Sequence, residues 1–264
     1  MNKLYLILLL FVLACDPPTD TENNTIETPN TNLMPNVLQA GLNSHGGLEN
    51  WRNMRTLEYD FQKDSATMEH QMIDLQNRKV LLGTDDYKVG FDGKEVWVSP
   101  NKAAFGKMSA RFYHNLRFYF FALPFLAADP GISYELMPDK TLNGETYDAV
   151  KLTYDDNVGD APEDEYILCF DKNSHQMEWL LYTVTYFTGE KASKYNALHY
   201  ADWTEVNGLL FPKTMSGYTF ENDTIGTKRY DRNFKNIQIS SEVPNQDMFE
   251  MPEGAEVDYL NAED

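Results

Sequence analysis

The sequence predicts a mainly β fold: one large curled antiparallel sheet, a half-open β-barrel, with an apolar helix packed in its concave face. Three observations carry this. Short segments rich in β-type residues recur along most of the chain and are separated by turn signals. Asp92-Gly93, Asn143-Gly144 and Asn207-Gly208 stand between such segments. Dipeptides of this kind suit the tight turns of antiparallel hairpins, because they tolerate positive φ. Within the strand series one sizeable stretch reads as helix, about Asn101 to Ala128, and its part from Phe118 to Ala128 carries no charge. A twisted sheet curls as strands are added, and the concave face it creates must be filled. The uncharged helix is the segment suited to fill it.

The elements follow in chain order. Met1-Asn2-Lys3 supplies a positive charge, and Leu4 to Ala14 is an apolar run that ends at Cys15. The run has the length of a signal peptide and is too short to span a bilayer, which takes about 20 apolar residues. Its end, "VLAC", resembles the bacterial lipobox, in which the cysteine is lipidated and becomes the new N-terminus. Residues 1–15 are thus expected to be a lipoprotein signal peptide with Cys15 as the lipidation site. More than one acyl chain on that cysteine would give lasting attachment to a membrane. Residues 16–34, "DPPTDTENNTIETPNTNLM", are polar and Pro-containing, the composition of a flexible tether. The folded domain is expected over 35–264.

"PNVLQAGLNSHGG" predicts a short helix with Val37, Leu38 and Leu42 on one face, stopped at Gly46-Gly47. "LENWRNM" adds a turn that buries Leu48, Trp51 and Met54. Strand segments then run through "TLEYDFQ", "ATMEHQMIDL", "RKVLLGT", "YKVGFDG" and "EVWVS". The helical stretch follows. Pro124 should break it into a longer and a shorter piece, and "DPG" ends it. Strands resume from Ile132 in "YELMPD", "YDAVKLTYDD", "DEYILCFD", "MEWLLYTVTYF", "KYNALHYADWTEV", "LLFPKTMSGYTF" and "TKRYDRNFKNIQIS". Alternation puts Val150, Leu152 and Tyr154 on one face, with Ala149, Lys151 and Thr153 on the other. It likewise separates Tyr182, Val184 and Tyr186 from Leu181, Thr183, Thr185 and Phe187.

Composition removes several functions. A net charge of −19 opposes nucleic acid binding and electrostatic docking on anionic membranes. The histidines His45, His70, His114, His175 and His199 show no metal-ligand spacing. His45, just before the glycine pair, reads as a helix C-terminal histidine that meets free carbonyls. "DDNVGDAPEDE" (Asp155 to Glu165) concentrates carboxylates but lacks the EF-hand spacing and reads as a solvated loop. Cys169, in "EYILCFD", reads as a buried inert thiol. The chain has no G-x-S-x-G, no phosphate loop and no dinucleotide fingerprint. No catalytic residue, metal site or cofactor is expected. Trp97, Trp179 and Trp203 fall on predicted strands, where burial is the default.

"SHGGLENWRNMRTLEYDF", "VGFDGKEVWV", "RFYFFALPFLAADPG", "GLLFPKTMSGY" and "VPNQDMFEMPEGAE" together resemble envelope lipoproteins of Gram-negative bacteria. They are similar to the lipoprotein carrier and receptor superfamily (LolA/LolB-like), over roughly residues 36–258. The resemblance implies a half-closed antiparallel barrel with helices in its mouth and an apolar concavity that takes acyl chains. The expected function is therefore a membrane-anchored lipoprotein that binds an acyl chain or other hydrophobic ligand. Phe112, Leu116, Phe120, Leu123, Phe125 and Leu126 are the expected lining of the cavity. The alternative is a surface module with a solid core that binds a protein or a glycan. The expected location is the cell envelope, the outer membrane before the inner. Asp16, directly after Cys15, resembles an inner-membrane retention signal used by some bacteria.

Overall fold

The computed structural model describes residues 33–62, 65–155 and 159–259. Cys15, the expected signal peptide and nearly all of the expected tether lie outside the described residues. Two short helices come first, α1 (Asn36–Ser44) and α2 (Leu48–Arg52). The strands β1 (Thr56–Gln62), β2 (Met68–Asp74), β3 (Val80–Gly83), β4 (Lys88–Phe91) and β5 (Val96–Ser99) follow. The helical stretch is α3 (Lys102–Phe105), α4 (Ala110–Phe121) and a 3-10 turn at Phe125–Ala128. The second strand series is β6 (Ile132–Leu142), β7 (Glu145–Tyr154), β8 (Tyr166–Asp171), β9 (Met177–Tyr182), β10 (Asn196–Val206), β11 (Leu209–Glu221) and β12 (Thr224–Ser240). A two-residue β13 (Glu256–Val257) completes it.

Among the described residues, thirteen strands form one antiparallel sheet in the order β13-β5-β4-β3-β2-β1-β12-β11-β10-β9-β8-β7-β6. The chain enters at the middle with β1 and meanders outward to β5. It then crosses through α3 and α4 to the far edge at β6 and meanders back to β12, which pairs with β1. The sheet is curled and not closed, a half-barrel, and the crossing helix is covered by it.

Turn chemistry pins the hairpins. Asn143-Gly144 takes φ of 51° and 88°, and Asn207-Gly208 takes 51° and 77°. Both positions are positive, as a two-residue hairpin turn that matches strand twist requires. Asn222-Asp223 makes a third such turn, at 50° and 56°, without a glycine. Close approach sets α1 in place: a Cβ on Gly41 would lie 2.3 Å from the Phe170 ring, so only glycine lets α1 sit on β8.

Two departures from the predicted elements have clear causes. The stretch from Asn101 to Ala128 is three pieces, because Gly106 at φ 108° ends α3 and Pro124 ends α4. Proline at 124 has no N–H to give the Phe120 carbonyl. That carbonyl accepts instead from the Tyr200 hydroxyl on β10, at 2.9 Å. The segment "MEWLLYTVTYF" stops being a strand at Tyr182. The Thr185 N–H donates to the Asp164 carboxylate at 2.7 Å, and the N–H of Gly189 folds back onto the Thr185 carbonyl at 2.7 Å. Val184 and Phe187 are accordingly exposed, not alternating into a core.

Both faces of the sheet bury apolar groups. The concave face gathers Leu57, Tyr59, Phe61, Val150, Leu152, Leu180 and Phe234 with Phe118, Phe121 and Phe125 from the crossing segment. A smaller cluster on the opposite face holds Ala149, Cys169, Trp179, Leu181 and Phe220. The predicted alternation of Val150 and Leu152 against Ala149 is observed. Lys140 on β6 reaches Asp223 at the β11–β12 turn, 2.9 Å away, although four strands separate β6 from β11 in the sheet. The sheet end bends over its outer face far enough to enclose the second cluster.

Candidate functional site

α4 begins at Ser109, whose hydroxyl oxygen accepts from the Phe112 N–H at 3.2 Å. The Asp258 carboxylate adds a second acceptor, 3.0 Å from the Arg111 N–H, at the end of the helix that favours negative charge. From this start the helix presents two stripes. Tyr113, Phe118 and Phe121 turn into the core. Phe112, Leu116, Tyr119 and Phe120, at helical spacings of four, seven and eight, share the other stripe and line a cleft.

The facing wall is Tyr154 from β7 and Tyr166 from β8. Tyr186, from the turn after β9, stands at 4.8 Å from the Phe112 ring. Asp160 and Asp164, from the β7–β8 connection, supply the polar rim together with Arg111 and His114 of α4. The cleft holds about 310 Å³. That is the small end of the range of ligand pockets, about 300–1,000 Å³, so it accommodates one chain or ring rather than a multi-chain lipid.

Its electrostatics follow from burial. The Tyr119 and Tyr154 hydroxyls bond each other in the wall, and burial pushes both phenols above their ordinary value. Arg111 donates to Asp160 at 2.8 Å and is paired. Burial also pushes the Asp164 carboxyl up, against the bonds it accepts from Thr185. The His114 ring donates from Nδ1 to the Arg111 carbonyl at 2.5 Å. Desolvation lowers its pKa to about 4, so it is neutral at pH 7.

Of the residues expected to line a cavity, Phe112, Leu116 and Phe120 border the cleft. Leu123, Phe125 and Leu126 are in the concave core, each 1% exposed. Cys15 lies outside the described residues. The sequence reading missed Tyr154, Tyr166, Asp160 and Asp164. The carboxylate-rich loop, read as solvated, places Asp164 at 8% exposure and Asp160 in an ion pair. Tyrosines flanking a carboxylate cluster, Tyr154 before it and Tyr166 after it, were the available signal.

Elsewhere His45 matches its sequence reading. Its Nδ1 donates to the Gly41 carbonyl at 2.7 Å, and the ring is fully buried against Trp203. Cys169 is buried, and desolvation pushes its thiol up to about 12, which leaves it unreactive. Among the described residues no group of three or more His, Cys, Asp or Glu side chains is placed to hold a metal ion.

The chain matches the family of unknown function DUF6503 over residues 63–224, more than half of its length. It belongs to that family. The matched segment contains α4 and both walls of the cleft, so the cleft is built within the DUF6503 region. No curated protein matches the chain. Solved structures similar to this DUF6503 protein include a LolA superfamily protein from Nitrosomonas europaea, at 9% identity and TM-score 0.44, covering 75% of this chain and 89% of that one. A domain from Vibrio parahaemolyticus described as an outer membrane lipoprotein-sorting protein is similar at 10% identity and TM-score 0.41, covering 80% and 97%. A DUF1329 family protein from Desulfovibrio piger gives 10% identity and TM-score 0.46, covering 77% and 93%. The superfamily named from the sequence is thus represented among these structures. At such identities the likeness concerns the fold and says nothing of a ligand.

Proposed function

We propose that this protein is an envelope lipoprotein, anchored in the outer membrane through acylated Cys15, that binds one acyl chain or a comparable apolar group. The binding place would be the cleft between α4 and the β7–β8 edge of the half-barrel. The observation that supports the reading best is the wall itself: Phe112, Leu116, Tyr119, Phe120, Tyr154 and Tyr166 leave an open space where a sheet face would otherwise be packed. An apolar chain needs area and no particular hydrogen bonds, and burial in such a cleft stabilises it by about 25 cal/mol per Å² removed from water. Among the described residues no helix is long and apolar enough to cross a membrane.

A second reading, a surface module with a solid core, draws on a different observation. Most of the concave face is filled by the protein itself, with Phe121 and Ala127 fully buried. The two readings separate at position 116. A benzoylphenylalanine photo-crosslinker placed at Leu116 of the full chain, irradiated in cells, should yield a lipid-sized adduct by mass spectrometry. The same group at exposed Leu136, on the outer edge strand, should not. Protein adducts at both positions, with no small adduct at 116, would support the surface module instead.

A further inference from the structure

Among the described residues, the polar rim of the cleft holds two carboxylates, Asp160 and Asp164, against one guanidinium, Arg111. Among the described residues around it, the cation Arg111 is already paired with Asp160 at 2.8 Å. The Arg111 Nε is buried. Asp164 is the remaining charged group of the lining; it accepts the backbone N–H of Thr185, and the side chains of Thr183, Thr185 and Tyr166 add hydrogen bonds to it. His114 donates through Nδ1 to a carbonyl, so its Nε2 is an acceptor. Burial keeps that ring neutral at pH 7. The polar end of the cleft is therefore rich in acceptors and poor in uncommitted positive charge. Its walls are the aromatic rings of Phe112, Tyr119, Phe120, Tyr154, Tyr166 and Tyr186. Aromatic faces carry negative potential and attract ammonium groups.

We infer that the cleft selects an organic cation, an ammonium group carried on an apolar body, over a carboxylate of the same size. This rests on the reading of the cleft as a binding site and names the ligand class it takes. A fatty acid would bring its carboxylate against Asp164 with no unpaired cation to meet it, whereas an ammonium group would find a carboxylate among aromatic side chains.

The test uses the full chain in phosphatidylglycerol nanodiscs and three water-soluble probes that share a hexyl chain: hexyltrimethylammonium, hexanol and heptanoate. Binding is read by saturation-transfer NMR and titration, with empty discs subtracted. The ammonium probe should bind about tenfold more tightly than heptanoate, with hexanol between. In Asp160→Asn the Arg111 guanidinium loses its partner beside the cleft, and the preference should shrink or reverse. Asp160 sits in a half-exposed loop, so this variant keeps the core intact. Tyr186→Leu, in the lining, should weaken the ammonium probe severalfold and heptanoate less. The same discs serve every variant, so partitioning into the bilayer cancels between them. Displacement of the ammonium probe by single-chain hexylphosphocholine but not by choline would mark a lipid head group as the source of this chemistry; displacement by choline alone would mark a free cation. Heptanoate binding as tightly as the ammonium probe would overturn the charge preference and leave the apolar site standing. Binding of none of the three would overturn both.

Discussion

At the scale of single residues, the buried histidines couple the fold to pH. His45 and His114 both have their pKa lowered to about 4, chiefly by desolvation. Each folded value lies below the ordinary 6.5, so the unfolded chain takes up protons first as pH falls. The stability they confer is complete above about pH 6.5 and is lost progressively down to about pH 4. Each full shift corresponds to roughly 3 kcal/mol. Thermal unfolding of the full chain at pH 7 and pH 5 should show a large loss, and the double variant His45→Gln, His114→Gln should lose distinctly less. An equal loss in both proteins would sink this account. The two histidines also differ in how readable they were. His45 follows from a helix that ends before two glycines, a local pattern. The surroundings of His114 depend on Phe91, whose ring lies 5.2 Å away from a distant strand, and no local pattern carries that.

At the scale of elements, two of the polar contacts that hold α4 lie inside the apolar core. Its Tyr113 donates to Glu69 of β2 at 3.0 Å, and the same fully buried carboxylate accepts from Tyr87 at 2.6 Å and Gln71 at 2.7 Å. A buried carboxylate is tolerated only with its hydrogen bonds made. Glu69→Leu removes the acceptor of three donors and should destabilise the protein by about 3–5 kcal/mol, read from urea unfolding. A cost under about 1 kcal/mol would show that the core relaxes around the change. The second contact lies where Pro124 ends the helix. Tyr200→Phe takes the hydroxyl from the Phe120 carbonyl and should cost about 1 kcal/mol, with the strands unchanged by circular dichroism. The break at Pro124 was legible because proline acts locally. Tyr200 as the group that satisfies it was not, since it comes from a strand 80 residues away. The end of β9 was hidden for the same reason: Asp164, from another strand connection, takes the N–H of Thr185.

At the scale of the whole molecule, an open sheet of this width has two edges to protect. Unpaired edge strands template aggregation unless they are short, bent or charged. The β6 edge carries Pro138, Asp139 and Lys140 at a register shift between Met137 and Lys140, a charged irregularity that a neighbouring strand would not match. The other edge is guarded differently. β13 pairs only through Glu256 and Val257 with β5, whose Val96, Trp97 and Val98 are buried. The strand-rich texture and the hairpin turns made the half-barrel readable, since alternation and turn residues act over a few positions. The order of strands was not, because β1–β12 and β5–β13 join segments far apart in sequence. The C-terminal segment therefore has a role that its composition hides. Phe249 is fully buried, its carbonyl accepts from the Trp97 indole at 2.9 Å, and Asp258 caps α4. Deleting residues 244–264 should uncover the β5 edge and loosen the start of α4 in one step. The expected outcome is a lower unfolding temperature together with concentration-dependent association in size-exclusion chromatography. Asp258→Ala, which leaves β13 in place, should lower stability by about 1 kcal/mol without association. If the truncated chain stays monomeric, edge protection by β13 is disproved, and the contribution of the segment reduces to the cap and the buried Phe249.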